Sequence, residues 1–229
     1  MNLQVLHEDN HTIVVNKRPG EIVQGDKTGD IPLSDKIKEY LKEKYDKPGN
    51  VFCGVVHRID RPTSGVLVFA RTSKALARLN DQFREKSTRK IYWAVVEKKP
   101  PKKEGKLIDY LKKNEKQNKS YPVNEGTQGS KLAILKYTYL TSSDNYHLLE
   151  IELETGRHHQ IRCQLANIGC WIKGDVKYGA KRSNKDLSIH LHSKELSFDH
   201  PTTKERLNIT ARCPDDPVWS FFEKNHCNF

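Results

Sequence analysis

Asp60 is a carboxylate set among cations, with His57, Arg58 and Arg61 all within three residues of it. Pro62, Thr63, Ser64 and Gly65 follow, and the run Gly65–Ala70 is almost wholly apolar, rich in β-branched and aromatic residues. Such a run reads as a strand buried on both faces. The charged turn, stiffened by Pro62 and relaxed by Gly65, therefore opens directly onto a core strand. An arginine beside an aspartate favours the charged form, and an ionised carboxylate on a rigid mount can act as nucleophile or base. A surface turn whose charges neutralise one another has the same composition, so this stretch alone leaves both readings open.

A second string, TGRHHQIRCQLANIGCWIKGDVKYG, runs from Thr155 to Gly179. Within it Ile161, Leu165 and Ile168 share a helix face, with Gly169 as the expected C-cap. His158, His159 and Arg162 are spaced three and four apart, which predicts a basic flank on that helix. No carboxylate or thiolate falls at ligand spacing beside these histidines, so a metal centre is not the reading adopted. His190 and His192 lie on one face of a strand-like run and are expected to be strand histidines near a basic surface.

The first string, His57-Arg58-Ile59-Asp60 through Thr63-Ser64-Gly65, resembles the H-R-L-D-x-x-T-S-G signature of RluA-type pseudouridine synthases, with Ile59 for the usual leucine. The second resembles the same family's T-G-R-x-H-Q-I-R-x-H-L-x-x-I-G-x-x-I-x-G-D-x-x-Y-G. It departs at Gln164, where histidine is usual, and at Cys170-Trp171, where His-Pro is usual. Asn16-Lys17-Arg18-Pro19-Gly20 is similar to the family's N-K-P-x-G turn, with one arginine extra, and Lys90-Ile91-Tyr92 matches its K-x-Y element.

The resemblance implies an enzyme that isomerises particular uridines of structured RNA, ribosomal or transfer, to pseudouridine. The glycosidic bond breaks, the uracil turns, and carbon 5 is joined to the ribose. No net redox change or group transfer occurs, so neither cofactor nor metal is expected; the chain also lacks a G-x-G-x-x-G, a P-loop and a cysteine cluster. Asp60 maps onto the family's catalytic nucleophile, Arg162 onto the arginine that pairs with it, and Tyr92 onto the tyrosine against the flipped base. Arg58 would fill the space the base vacates, and Arg61, Lys90, Arg157, His159 and Gln160 are the further expected substrate contacts. The implied fold is α+β: a mixed, mainly antiparallel β-sheet with peripheral helices and loops around a central cleft. Residues 1–229 are expected to be one catalytic domain with no separate N-terminal RNA-binding domain, because the pocket motifs begin so early. A monomer in the cytoplasm, away from membranes and without an obligate protein partner, completes the expectation.

The elements that must position these residues follow from periodicity. Leu3–Asn16 reads as two short strands about a turn at Glu8–His11, with Ile13, Val14 and Val15 buried. An amphipathic helix is predicted over Leu33–Tyr45, capped by Ser34, with Ile37, Tyr40, Leu41 and Tyr45 on one face. A second, capped by Thr72 or Ser73, runs to about Glu85 and buries Leu76, Leu79, Asn80 and Phe83. Arg89–Glu97 is a strand, Lys131–Leu140 and Tyr146–Glu154 a hairpin, Ser188–Asp199 and Lys204–Thr210 another, and Asp215–Lys224 a closing helix. Lys98–Lys119 carries nine lysines against three acids, with Pro100, Pro101 and Gly105 as breakers. It reads as a solvated, mobile connection and as a candidate for phosphate contacts, with Tyr121–Ser130 continuing as loop.

Lysine and arginine outnumber aspartate and glutamate by 40 to 29, a formal net charge of +11 that suits a polyanionic partner. Five cysteines (53, 163, 170, 213, 227) without a C-x-x-C pair fit reduced thiols better than a zinc site or disulfides. The residues alone also admit an RNA chaperone using the same surface, or a hydrolase built on Asp60. The second lacks a partner carboxylate in either string.

Overall fold

The computed structural model describes residues 3–26 and 28–226 of the chain. The chain divides into two compact units, one of residues 1–89 and 193–212, the other of 90–192 and 213–229. The elements are β1 (Val5–Glu8), β2 (Thr12–Lys17), α1 (Leu33–Lys44), β3 (Gly54–Val55), β4 (Ser64–Ala70), α2 (Ser73–Glu85), β5 (Arg89–Val96), β6 (Glu104–Asn114) and β7 (Lys119–Val123). After them come β8 (Lys131–Ser142), β9 (His147–Leu153), α3 (Gln160–Asn167), a 3-10 turn at Val176–Tyr178, β10 (Leu191–Asp199), β11 (Arg206–Thr210) and α4 (Pro217–His226). No described helix is long and apolar enough to cross a membrane.

In the first unit β1, β2, β4 and β10 lie side by side, with β3 on β4 and β11 on β10. The β1–β2 turn forms because Asp9 Oδ1 accepts from the backbone N–H groups of His11 (2.6 Å) and Thr12 (2.7 Å). Strand β4 is buried along its whole length, and its two faces serve two cores. Val66, Val68 and Ala70 pack with Ala75 and Leu79 of α2 and with Leu196 and Phe198 of β10. Leu67 and Phe69 pack with Ile13 and Val15 of β2 and with Leu33, Ile37 and Leu41 of α1. A strand with a helix core on either side has no polar face, which is why its sequence shows no alternation.

In the second unit the order is β5-β9-β8-β6-β7, every pair antiparallel. Helix α4 covers Trp93, Val95 and Leu148 with Trp219 and Phe222. Helix α3 lays Cys163 and Ala166 over Leu111, Ala133 and Tyr178. Both units thus have the mixed, mainly antiparallel α+β character expected.

Several local expectations are corrected. The N-cap of α1 is Pro32, not Ser34; the Leu33 and Ser34 N–H groups donate instead to the carbonyls of Ile22 (2.8 Å) and Val23 (3.2 Å), leaving the serine no capping role. Tyr45 is the C-cap and is exposed, its hydroxyl donating to Glu8 at 2.7 Å. Asn80 is exposed, and Ala75 takes its place in the α2 stripe. Thr72 caps that helix, as one of the two candidates, by accepting from Ala75 N at 3.1 Å. The 98–123 stretch is not a mobile connection: β6 runs through its middle, paired with β8 on one side and with β7 on the other, and only 124–130 is loop as expected. Regular pairing overrides its lysine content, because strand lysines need water on one face only.

Gly65, the second residue of β4, has φ +117°. An added Cβ would lie 2.5 Å from the backbone N of Ser193 on β10. Gly65→Ala should therefore cost about 3 kcal/mol or more, overpacking and backbone strain together. Gly126→Ala is the control, since Gly126 has φ +81° but nothing within 4 Å of its added Cβ; strain alone should cost about 1–2 kcal/mol there. Urea unfolding of the two variants decides, and equal losses would refute the close-packing argument.

Candidate active site

The Asp60 turn is held from beneath by Lys17. In the β2–β4 register Lys17 stands opposite Gly65, which brings its side chain under the turn that enters β4. Its Nζ donates to the carbonyls of Arg18 (2.9 Å), Arg61 (3.0 Å) and Thr63 (2.7 Å). Three donors thus meet three acceptors on a residue only 1% exposed. Burial pushes the ammonium down to about 7, against the opposing charges of Glu21 and Asp60 and with the repulsion of Arg61. Thr63 N donates to Asp60 O at 3.0 Å and Gly20 N to Arg61 O at 2.8 Å, so the turn's backbone is held on both sides of Pro62.

Around that frame Asp60 is half-buried while Arg58 and Arg61 are exposed. Arg61 pairs with Asp30 at 2.8 Å, both side chains about half exposed, and such a pair adds little stability. His57 accepts from Val68 N through Nε2 at 3.2 Å and stacks on Phe83 with ring centroids 4.6 Å apart. The histidine is thereby fixed against β4 and α2.

The remaining expected residues belong to the second unit. Lys90 and Tyr92 lie on β5, with Tyr92 opposite Ile151 and buried. The Thr155–Arg162 stretch is a closed network rather than a basic flank. Gln160 accepts from Thr155 Oγ1 (2.7 Å) and Arg157 N (2.9 Å) and donates to Ile134 O (3.1 Å). Arg157 Nε donates to Leu132 O at 2.8 Å. His159, the N-cap of α3 at φ +51°, is buried with Nδ1 3.0 Å from Tyr178 Oη, and its ring stacks on His158 at 3.8 Å.

Arg162 is buried as well. Its Nε and Nη2 donate to the two carboxylate oxygens of Asp175 at 2.7 and 2.8 Å, and its guanidinium lies 5.1 Å from the Tyr178 ring centroid. The expected surface character of His159 and Arg162 is thus corrected: the hydrophobic cover of α3 and the Asp175 carboxylate draw them inward. The same correction applies to His190 and His192, which are fully buried, with His190 Nε2 3.2 Å from Asp216 Oδ1.

The structure therefore gathers Arg58, Asp60 and Arg61 on one turn of the first unit. Lys90, Tyr92, Arg157, His159, Gln160 and Arg162 belong to the second. Sequence reasoning missed Lys17, Asp175 and Tyr178 as positioning residues, although all three stand inside the quoted strings. Cys53, Cys163, Cys170 and Cys213 form no disulfide, burial pushes the Cys163 and Cys170 thiols up to about 11, and Cys227 lies outside the described residues.

Comparison with known proteins agrees with the two strings. Residues 11–167 match the family described as RNA pseudouridylate synthase. The chain is 33% identical over 219 residues to an uncharacterized RNA pseudouridine synthase of Bacillus subtilis, covering 94% of this chain and 71% of that one. It is 32% identical over 224 residues to ribosomal large subunit pseudouridine synthase D of Zymomonas mobilis, covering 93% and 70%. Among solved structures, human RNA Pseudouridylate Synthase Domain Containing 4 superposes with a TM-score of 0.81 at 23% identity, over 97% of this chain and 93% of that one.

Lys17→Met should remove the pin beneath the Asp60 turn. Three carbonyls lose a buried charged donor, at a cost of about 2–4 kcal/mol. The pH dependence identifies the cause. With a folded pKa near 7 against an ordinary value of 10.5, the unfolded chain alone holds the Lys17 proton between those values. Wild-type stability should then rise with pH relative to Lys17→Met across that window, by at most about 1.4 kcal/mol per pH unit. Parallel stability curves for the two proteins from about pH 7 to 9.5 would show that Lys17 is not shifted.

Proposed function

The chain belongs to the RNA pseudouridylate synthase family and is an RNA pseudouridine synthase; from that premise we propose that Asp60 is its catalytic carboxylate and large-subunit ribosomal RNA its substrate. Two relatives support the substrate by name: the Zymomonas mobilis protein and ribosomal large subunit pseudouridine synthase C of Rickettsia felis, which is 32% identical over 216 residues. The observation that carries the catalytic assignment is the Asp60 turn, the matched motif aspartate on a backbone pinned by a buried ammonium. A target uridine leaves its stack at a cost of a few kcal/mol, and Arg58, exposed two residues before Asp60, fills the gap. Asp60 then either attacks ribose carbon 1 or promotes glycal formation as the bond to nitrogen 1 breaks. Carbon 5 then bonds to ribose carbon 1, displacing the Asp60 oxygen or adding to the glycal as its carbon 2 regains a proton. Carbon 5 gives up its hydrogen as a proton and nitrogen 1 takes one up, with Tyr92 against the base. Arg162 is assigned the pairing with Asp60 that the resemblance implies. Lys90, Arg61, Arg157 and His159 are assigned to substrate contact and Gln160 to shaping the turn. No cofactor enters the scheme.

Grip on the RNA falls on the solvent face of β6 and β7. Leu111, Ala133 and Leu135 mark the packed face of that sheet, and Lys112 and Tyr121, opposite each other, stand on the open one. Lys106 and Lys136 are held by Glu154 at 3.0 and 3.5 Å. Among the described residues Lys112, Lys116 and Lys119 form no such pair, and Lys119 Nζ sits 5.2 Å from the Tyr121 ring centroid. Cations beside an exposed aromatic suit a phosphate backbone with bases at hand.

Asp60→Asn keeps the backbone bonds of the turn and removes only the negative oxygen. It should melt within a few degrees of wild type, bind ribosomal RNA with similar affinity, and lose nearly all release of tritium from carbon 5 of labelled uridine. Substantial release by the folded variant would falsify the catalytic assignment.

Affinity for ribosomal RNA should fall roughly a thousandfold or more between 50 and 200 mM salt if about 6–10 phosphates are contacted. Replacing Lys112, Lys116 and Lys119 by glutamine should lower the slope of log affinity against log salt by about 2–3. A slope unchanged by the triple substitution would move the RNA off this sheet face.

A further inference from the structure

The second unit holds a polar pocket of about 420 Å³ that none of the matched strings explains. Its floor is Lys173 and Asn184, its rim Lys181 and Arg182, and its remaining walls include Asn145 and Tyr146. Among the described residues the one acid lining it is Glu97, whose carboxylate accepts from the backbone N–H of Lys181 at 3.3 Å and anchors the rim to the end of β5.

Its floor is built, not incidental. Lys173 Nζ donates to Asn184 Oδ1 at 2.6 Å. The amide nitrogen of Asn184 donates to Ser188 O at 2.9 Å and lies 3.0 Å from His190 Nδ1. His190, buried, turns Nε2 to Asp216 at 3.2 Å, and Asp216 caps the N-terminus of α4 through Val218 N and Trp219 N. A chain of hydrogen bonds thus runs from the helix through the buried histidine to the pocket's lysine, fixing Asn184 with its oxygen towards Lys173. The ring of Tyr146 lies 5.7 Å from the same Nζ and guards its other side.

The charge is left over. Among the described residues none of Lys173, Lys181 and Arg182 makes an ion pair, although Lys173 is half-buried. Burial pulls the Lys173 ammonium down, with Asp216, Asp186 and Glu97 opposing from a distance. A partly desolvated cation facing a cavity with two further cations at its mouth lowers its energy by taking an oxyanion. Asn145, Ser183 and Asn184 add neutral polar groups, the set that phosphate oxygens accept from.

We propose that this pocket is a phosphate subsite for the RNA substrate, remote from the reacting uridine. The proposal rests on the pseudouridine synthase reading and adds a place where that RNA is held. Glu97 lies five residues along the β5 line from Tyr92, about 17 Å at strand rise, so the subsite takes a phosphate away from the target nucleotide. Its work is positioning, and it enters binding but not the chemical step.

The test is the double variant Lys181→Gln/Arg182→Gln, both exposed positions, compared with Lys42→Gln/Lys74→Gln, which removes the same charge elsewhere. The probes are in-vitro transcribed, unmodified large-subunit ribosomal RNA and, separately, uridine monophosphate. The pocket variant should bind the RNA roughly tenfold more weakly at low salt and lose about 1.4–1.8 from its salt slope, beyond any loss in the control. Its KM should rise by the same factor with kcat unchanged. Lys173→Gln should repeat the loss in affinity. RNA binding and slope equal to the control overturn the proposal, as does a fall in kcat alone. Loss of uridine monophosphate binding with RNA binding intact also overturns it, marking the pocket as a site for a free mononucleotide. Titration reads binding without turnover. Should wild type bind this RNA yet release no tritium, the substrate assignment fails while the pocket's result still stands.

Discussion

The structure of the first unit hinges on a buried lysine. Removing an ammonium from water costs several kcal/mol unless its protons are met, and Lys17 offsets part of that cost only where the carbonyls of Arg18, Arg61 and Thr63 converge. Any other path for the Asp60 turn would pull at least one carbonyl away and leave a charged donor unsatisfied. The penalty for a wrong conformation therefore exceeds what the turn's own hydrogen bonds could impose. That is how a loop exposed at Arg58 and Arg61 can hold a carboxylate as firmly as a strand would. The catalytic role proposed for Asp60 needs such placement, because a loosely held group loses the advantage of proximity.

The second unit solves a similar problem with a different cation. Arg162 is planar and always charged, so it can be oriented as well as neutralised. The two oxygens of Asp175 fix the plane of its fork, and the Tyr178 ring covers one side. Tyr178 in turn is tied to Ser120 N at 2.8 Å and lies beside His159, so the arginine's orientation is linked to β7 and to the start of α3. Lysine suits the first site because three scattered carbonyls need a compact, rotatable donor. Arginine suits the second because one carboxylate offers two parallel acceptors.

This difference explains what could be read from the sequence. Strand β4 was legible because burial on both faces leaves an unbroken apolar run. Helix α2 was legible because Thr72 and the Ala75, Leu79 spacing act locally. The strings that hold Asp60 and Arg162 were legible as a family pattern. Their supports were not, since Lys17 reaches residues 44 and 46 positions away and Asp175 lies thirteen positions from Arg162. Charge in a sequence carries no sign of burial, so Arg162 and His159 read as a basic flank until the fold enclosed them. The same blindness, reversed, hid β6: its lysines and glycine resemble a loop unless the partners in β7 and β8 are known.

The net charge of +11 is likewise a sum that conceals an allocation. Lys17 and Arg162 are consumed inside, holding backbone and carboxylate in place. Lys106 and Lys136 share Glu154 on the sheet, and Arg71 is drawn inside against the buried Glu8 side chain. Exposed pairs such as those on Glu154 contribute little to stability or to an incoming polyanion. The cations proposed for RNA contact are a smaller set, Lys112, Lys116 and Lys119 beside β6 and β7 and Lys181 and Arg182 at the pocket mouth, which form no ion pair among the described residues. Counterion release scales with phosphates neutralised rather than with total charge. The proposed footprint therefore depends on which lysines are left unpaired as much as on how many there are.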